Sequence, residues 1–277
     1  MLARPGILRL LRSVDPEVVV SVYPNATEVL ARLRAAGLIR VPVVAAITDL
    51  AAMHYWAAEG ADLYLVTHAE SIQEVKAVAG DDAIVVVVHG LTSPGFLAPP
   101  SPSEARRTVG LPVDGKIVLI SGGGLGVGDV EGATREALRV EQVAQAVCLC
   151  GHNEDLRQRL TRQFGSEPRV RVEGFTTQMV DWLAASDVLV HSTGGLTVLE
   201  AIMAGCPAVS YGWGRGHVRV NNRAYRHFGL ADVISSRDEL RAAIVRALEQ
   251  RGAPVGDYGQ LPSAAACVLE LTNGEPR

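Results

Sequence analysis

Short apolar runs alternate along the chain with segments in which apolar residues recur every three to four positions. Residues 18–22, 41–47, 63–66 and 84–88 are apolar runs of strand length, and helical spacing falls between them around 27–36 and 71–79. A second series follows at 117–120, 146–149, 170–172, 188–190, 208–210 and 232–234, again separated by helical patterns. Runs that are apolar throughout, rather than at alternate positions, are covered on both faces, which predicts parallel sheets flanked by helices. Between the two series, residues 91–102 are dense in Pro, Gly and Ser and read as a hinge. The pattern therefore predicts an α/β protein of two doubly wound, Rossmann-like domains facing a cleft. The domains are expected over 1–90 and 103–277, with the last helix able to pack back on the first domain. The first series has only four strands and no glycine-rich opening turn, so it reads as the latter half of a domain.

Two glycine corners carry the candidate chemistry. After the apolar run 187–190 comes Ser192-Thr193-Gly194-Gly195, followed by Leu196-Thr197-Val198-Leu199-Glu200 at helical spacing. This is a strand turning tightly onto a helix N-terminus, where unpaired backbone N–H groups and the positive end of the helix dipole favour a phosphate. One turn on, Glu200 is a carboxylate able to accept from the vicinal hydroxyls of a ribose, and phosphate with ribose means a nucleotide. The second corner, Ser121-Gly122-Gly123-Gly124-Leu125-Gly126-Val127-Gly128, follows the run 117–120. It matches neither G-x-G-x-x-G nor a Gly-Lys-Ser/Thr phosphate loop. Its glycine density exceeds what a plain strand-to-helix turn needs, so it reads as a ligand-binding corner at the carboxyl end of a strand.

Composition narrows the class. The 277 residues are 48% hydrophobic, enough for a substantial core, and the net charge is −4. With a pI near 6.0 the chain lacks the concentrated positive field that a nucleic-acid partner requires. Cys148, Cys150, Cys206 and Cys267 form no CxxC pair and no zinc-type cluster, so they read as buried thiols of a reducing compartment. No run approaches a membrane span, and the arginines at 4, 9 and 12 break up any signal-peptide core. The expected location is the cytoplasm, in association with the inner face of the plasma membrane if Leu2, Ile7, Leu8, Leu10 and Leu11 with those arginines lie on an anionic bilayer. A core-packing helix is the alternative.

The residues also carry a family resemblance. Ser121–Gly124, then Glu173-Gly174-Phe175-Thr176-Thr177-Gln178-Met179, then 183–190, then Gly194-Gly195-Leu196-Thr197-x-x-Glu200-Ala201 and Gly205-x-Pro207 resemble the carboxyl-terminal domain of GT-B glycosyltransferases. The resemblance is to the group holding monogalactosyldiacylglycerol synthases, diacylglycerol glucosyltransferases and the N-acetylglucosaminyltransferase that makes lipid II. Thr48-Asp49, His54, Trp56 and Asp62-Leu63-Tyr64 are similar to a pattern of the diacylglycerol enzymes.

The resemblance implies a metal-independent, inverting transfer of a hexose from a UDP-sugar to a lipid or other hydrophobic hydroxyl, with no cofactor. It implies that Ser121, Gly122, Gly123, Gly124, Gly194, Gly195, Leu196 and Thr197 approach the diphosphate. Phe175, Thr176 and Met179 are implied near the uracil, and Glu200 at the ribose. Where the family has Gly-Gln-Glu-x-x-Asn to hold the hexose, this chain has Gly216-His217-Val218-Arg219-Val220-Asn221. Asn221 still matches, His217 takes the first polar position, the carboxylate is gone, and Arg215 or Arg219 could meet the diphosphate instead. The family's usual base comes from a Gly-rich, His-bearing loop that this chain lacks. His54 is the candidate base, with Asp49 close enough in sequence to orient it. His152, after Gly151, is expected to start a helix, with lining of the donor site as the alternative. Two alternatives stay open: an inactive homologue that only binds the nucleotide sugar, and a UDP-sugar epimerase on the same architecture.

Overall fold

The computed structural model describes residues 4–192, 195–212, 214, 216–252 and 258–272. The chain divides into two compact units, Met1–Thr92 with Asp257–Arg277, and Ser93–Gly256.

The first unit is a four-stranded parallel sheet in the order β1-β2-β3-β4, built from β1 (Val19–Ser21), β2 (Val43–Ile47), β3 (Leu63–Val66) and β4 (Val85–Val87). Its helices are α1 (Arg4–Val14), α2 (Pro24–Ala35), α3 (Met53–Trp56) and α4 (Ile72–Ala79). Strands β2 and β3 are buried at every position, as their unbroken apolar sequences require. Helix α1 turns Ile7, Leu8 and Leu11 onto the core residues Leu30, Leu33, Ile39 and Val43, leaving Leu10 and Val14 exposed. The apolar face that could meet a bilayer is thus largely used in packing.

The second unit is a six-stranded parallel sheet in the order β10-β9-β8-β5-β6-β7. In chain order its elements are α5 (Pro102–Val109), β5 (Lys116–Ser121), α6 (Val130–Leu138), β6 (Val143–Leu149), α7 (Glu154–Phe164), β7 (Val170–Glu173), α8 (Met179–Ala185), β8 (Val188–His191), α9 (Leu196–Met203), β9 (Ala208–Tyr211), α10 (His217–His227), β10 (Asp232–Ile234) and α11 (Arg237–Glu249). Helix α5 starts on a capping box in which Ser101 and Glu104 satisfy each other's backbone N–H, and it ends on Gly110 at φ +67°. From α5, the buried Arg106 donates to the carbonyls of Val113, Gly115 and Ala185 and pairs with Asp187 at 2.7 Å. Asp187 also accepts the Ile117 N–H at 2.8 Å, which fixes the start of β8 against β5.

The structure places two boundaries more narrowly than the sequence reading did. The segment expected as a linker over 91–102 contains a 3₁₀ turn, Pro94–Leu97, and enters the second unit at Ser93 because Phe96 is buried there. The second unit ends at Gly256, and the last helix packs back on the first unit, as the sequence reading allowed. Helix α12 (Ala264–Thr272) belongs to the first unit, where Ala264 and Cys267 pack with Val44, Leu63, Leu65 and Val88. His89 anchors this return, donating its N–H to Pro262 and accepting from Ala264.

His68, just past β3, is buried, and its Nε2 finds no hydrogen-bond partner among the described residues. Burial pushes its pKa down to about 4, against a weaker opposing pull from Glu70. The unfolded chain then binds the proton more readily than the folded one, so stability is full above about pH 6.5 and falls as the pH drops towards 4. The expected loss between pH 7 and pH 4 is on the order of 3 kcal/mol for this group. Urea denaturation across that range should show it, and a His68→Leu variant should lack that part of the slope. An identical slope in both proteins would remove His68 as the cause.

Candidate functional site

Strands β5, β6 and β7 run outward in one direction, after which the chain returns to lay β8 on the opposite side of β5. Loops leaving the carboxyl ends of β5 and β8 therefore diverge, and the crevice between them is where an open parallel sheet takes its ligand. Ser121 ends β5 and His191 ends β8, in register with each other. The two glycine corners begin at those residues, so the structure brings both to one crevice of the second unit.

At the first corner the Gly123 N–H donates to Ser121 Oγ at 3.2 Å, and the turn closes through Val127 N–H to Gly122 and Gly126 N–H to Gly123. A Cβ on Gly122 would stand 2.7 Å from the Val127 carbonyl oxygen, and one on Gly128 would run into Ser192. Much of the glycine density thus serves close packing, more than the sequence reading allowed. Gly124 is the exception: it is exposed, and a Cβ there would meet nothing within 4 Å. Its amide and that of Leu125 donate no hydrogen bond among the described residues, and both residues are exposed at the strand end.

The second corner is tied to the first by Ser192, whose hydroxyl donates to the Val127 carbonyl. Gly194 lies outside the described residues. The Gly195 N–H donates to the Tyr225 hydroxyl at 3.1 Å, so in this state that amide is committed within the protein. Helix α9 begins at Leu196 and Thr197 with no side-chain cap, which leaves the first-turn positions for an anion. Glu200 stands one turn further along α9, half-buried, and side chains on a helix lean back towards its N-terminus.

The residues expected at a nucleobase divide. Phe175 is 57% exposed and stacks on His152 with ring centroids 4.0 Å apart and an interplanar angle of 16°. Met179, half-buried, opens α8. Thr176 is occupied locally, its Oγ1 accepting from Gln178 N–H and from the Trp182 indole. His152 stands directly before Asn153, the cap of α7, and its imidazole makes this stack. Asn221 on α10 is fully buried, which leaves no surface on it for a sugar hydroxyl in this state. His217 is the first residue of α10, and its side chain is outside the description.

In the first unit His54 lies on α3, exposed, with its ring 4.0 Å from that of Tyr55. Asp49 is buried and accepts the Trp56 indole N–H at 2.9 Å. The expected Asp49–His54 orientation is therefore not what forms: the indole, two residues nearer the end of α3, takes the carboxylate.

Two family models match the chain: monogalactosyldiacylglycerol (MGDG) synthase over residues 1–91 and glycosyl transferases group 1 over 130–250. Monogalactosyldiacylglycerol synthase 1, chloroplastic, of Arabidopsis thaliana is 31% identical over 73% of this chain and 40% of its own length. The processive diacylglycerol beta-glucosyltransferase of Staphylococcus aureus is 24% identical over 84% of the chain and 59% of its own. This chain is a GT-B glycosyltransferase-family member of the MGDG synthase and diacylglycerol glucosyltransferase group. It spans about two fifths to three fifths of the length of these curated relatives. Among solved structures, Acinetobacter baumannii MurG superposes with a TM-score of 0.66 at 16% identity, covering 97% of this chain and 76% of MurG. Anabaena HepE in complex with UDP-glucose gives a TM-score of 0.56 at 18% identity, covering 97% and 80%. These two likenesses establish the GT-B fold. As in the sequence of this MGDG-synthase-group member, no helix among the described residues is long and apolar enough to cross a membrane.

Proposed function

We propose that the chain binds a UDP-sugar at the carboxyl edge of its six-stranded sheet and transfers the hexose to a hydroxyl of a diacylglycerol-type lipid. The observation that carries the reading is the convergence of the two glycine corners at the β5/β8 switch point. There the first corner, with its exposed Gly124 and Leu125, and the uncapped start of α9 leave adjacent strands that end in register. Such donors suit a diphosphate, Glu200 suits the ribose diol, and the Phe175–His152 stack offers a flat face to a base. The activities for which the relatives are named, a monogalactosyldiacylglycerol synthase and a diacylglycerol glucosyltransferase, support a lipid acceptor.

In this reading the chemistry is a single displacement at the anomeric carbon, with inversion. A base takes the acceptor proton, and the departing UDP is stabilised by backbone amides and the α9 N-terminus rather than by a metal ion.

A thermal-shift panel tests the nucleotide. A ligand that binds only the native state raises stability as RT ln(1 + [L]/Kd). UDP is expected to raise Tm more than ADP, GDP or CDP at equal concentration, and equally with or without EDTA. A matching shift from ADP or GDP would remove the uracil assignment, and a requirement for a divalent cation would remove the metal-independent mechanism.

A further inference from the structure

Helix α10 carries Arg219, Arg223 and Arg226 at spacings of four and three, so their guanidinium groups share one face, and its eleven residues include no acid. That face borders a groove of about 670 Å³, which is also lined by Gly212 and Gly214 after β9, by Ser235 after β10, and by Glu239 of α11. Three arginines facing one glutamate, in a chain of net charge −4, reverse the local sign. Arg226 donates to the Val233 carbonyl at 2.6 Å. Arg219 and Arg223 are exposed and form no ion pair among the described residues.

The inner edge of the same helix explains what the groove lacks. The resemblance places a Gln-Glu pair that holds a hexose at 217–218, and here the second position is Val218. Val218 packs on the loop after β9, where a Cβ added to Gly214 would collide with its side chain. No carboxylate is left at 217 or 218 to accept from a sugar diol. A guanidinium, by contrast, offers five donors, no acceptor, and a planar fork that matches a carboxylate or phosphate. Position agrees with this exchange. Strands β8, β9 and β10 are successive neighbours, so the groove at the β9/β10 end lies two strand spacings, about 10 Å, from the β5/β8 crevice. This is a distance that a phosphate and a hexose ring with its outermost substituent can bridge.

We propose that the donor sugar is a hexuronate, its C6 carboxylate held by Arg219 and Arg223. The inference rests on the UDP-sugar reading above and names the class of sugar. Calorimetric titration of the full chain with UDP, UDP-glucose and UDP-glucuronate tests it. UDP-glucuronate is expected to bind at least about tenfold more tightly than UDP-glucose, and the ratio to fall towards one in R219Q and R223Q. Both positions are exposed, and circular dichroism checks that the variants fold. Equal affinity for the two sugar nucleotides, with UDP itself bound, overturns the hexuronate assignment and leaves the nucleotide reading standing. A ratio that survives both substitutions overturns the role of these arginines. Equal weakening of UDP and UDP-glucuronate assigns the arginines to the diphosphate and overturns it likewise. Failure to bind any of the three overturns the nucleotide reading with it.

Discussion

Asp187→Asn is expected to cost about 3–5 kcal/mol of unfolding free energy, the range for stripping one partner from a buried ion pair. The Arg106 and Asp187 side chains are only 9% and 8% exposed, and the pair is 2.7 Å apart. Asparagine can still accept the Ile117 N–H, but it leaves the guanidinium enclosed with carbonyl partners only and no countercharge. Lys116, at 3.4 Å from the other carboxylate oxygen and 40% exposed, adds little that solvent does not already screen. Urea denaturation measures the loss, and the double variant R106M/D187L should recover part of it because no buried charge remains. A loss below about 1 kcal/mol for D187N would contradict the assignment of this pair as a buried structural charge. The effect bears on the site because Asp187 sets the start of β8 against β5, the two strands whose far ends carry the glycine corners.

Glu200→Ala is expected to weaken UDP binding by roughly ten- to hundredfold. That is the equivalent of about 1.5–3 kcal/mol for hydrogen bonds to a charged acceptor. The contrast that isolates the ribose is UDP against 2′-deoxyuridine diphosphate. The parent chain should prefer UDP, while E200A should bind the two alike. Unchanged UDP affinity in E200A would sink the ribose role, and a preference for UDP that persists in the variant would move it to another residue.

The strands were legible because buried parallel strands leave unbroken apolar runs: the reading at 63–66 coincides with β3, and those at 188–190 and 208–210 fall within β8 and β9. The corners were legible as glycine clusters at the ends of those runs. Their internal bonding was not, since nothing local in the sequence tells that Tyr225, thirty positions on, grips Gly195, or that Ser192 reaches Val127. The hinge over 91–102 does contain the boundary between the two units, at Thr92/Ser93, but Pro, Gly and Ser masked the short 3₁₀ turn around Phe96, whose burial ties the rest of the segment to the second unit. Asp49 and His54 illustrate the limit of spacing. They stand five positions apart, yet Trp56 presents the donor the carboxylate takes. The His152–Phe175 stack had a signal, a histidine directly after Gly151 at the end of β6, but its partner lies beyond β7.

Tyr225 has a consequence for how substrate preference can be altered. Its hydroxyl holds both the N–H and the carbonyl of Gly195, and the ring is wholly enclosed. The inner side of α10 is thereby bolted to the peptide that opens α9, and on the proposed reading a swap at Tyr225 would disturb the anchoring of the phosphate end. The outward-facing positions 219, 223 and 226 carry no such tie to Gly195. On the proposed UDP-sugar reading, changes of sugar choice fall to that outer row, where side chains can be exchanged without touching the Gly195 anchor.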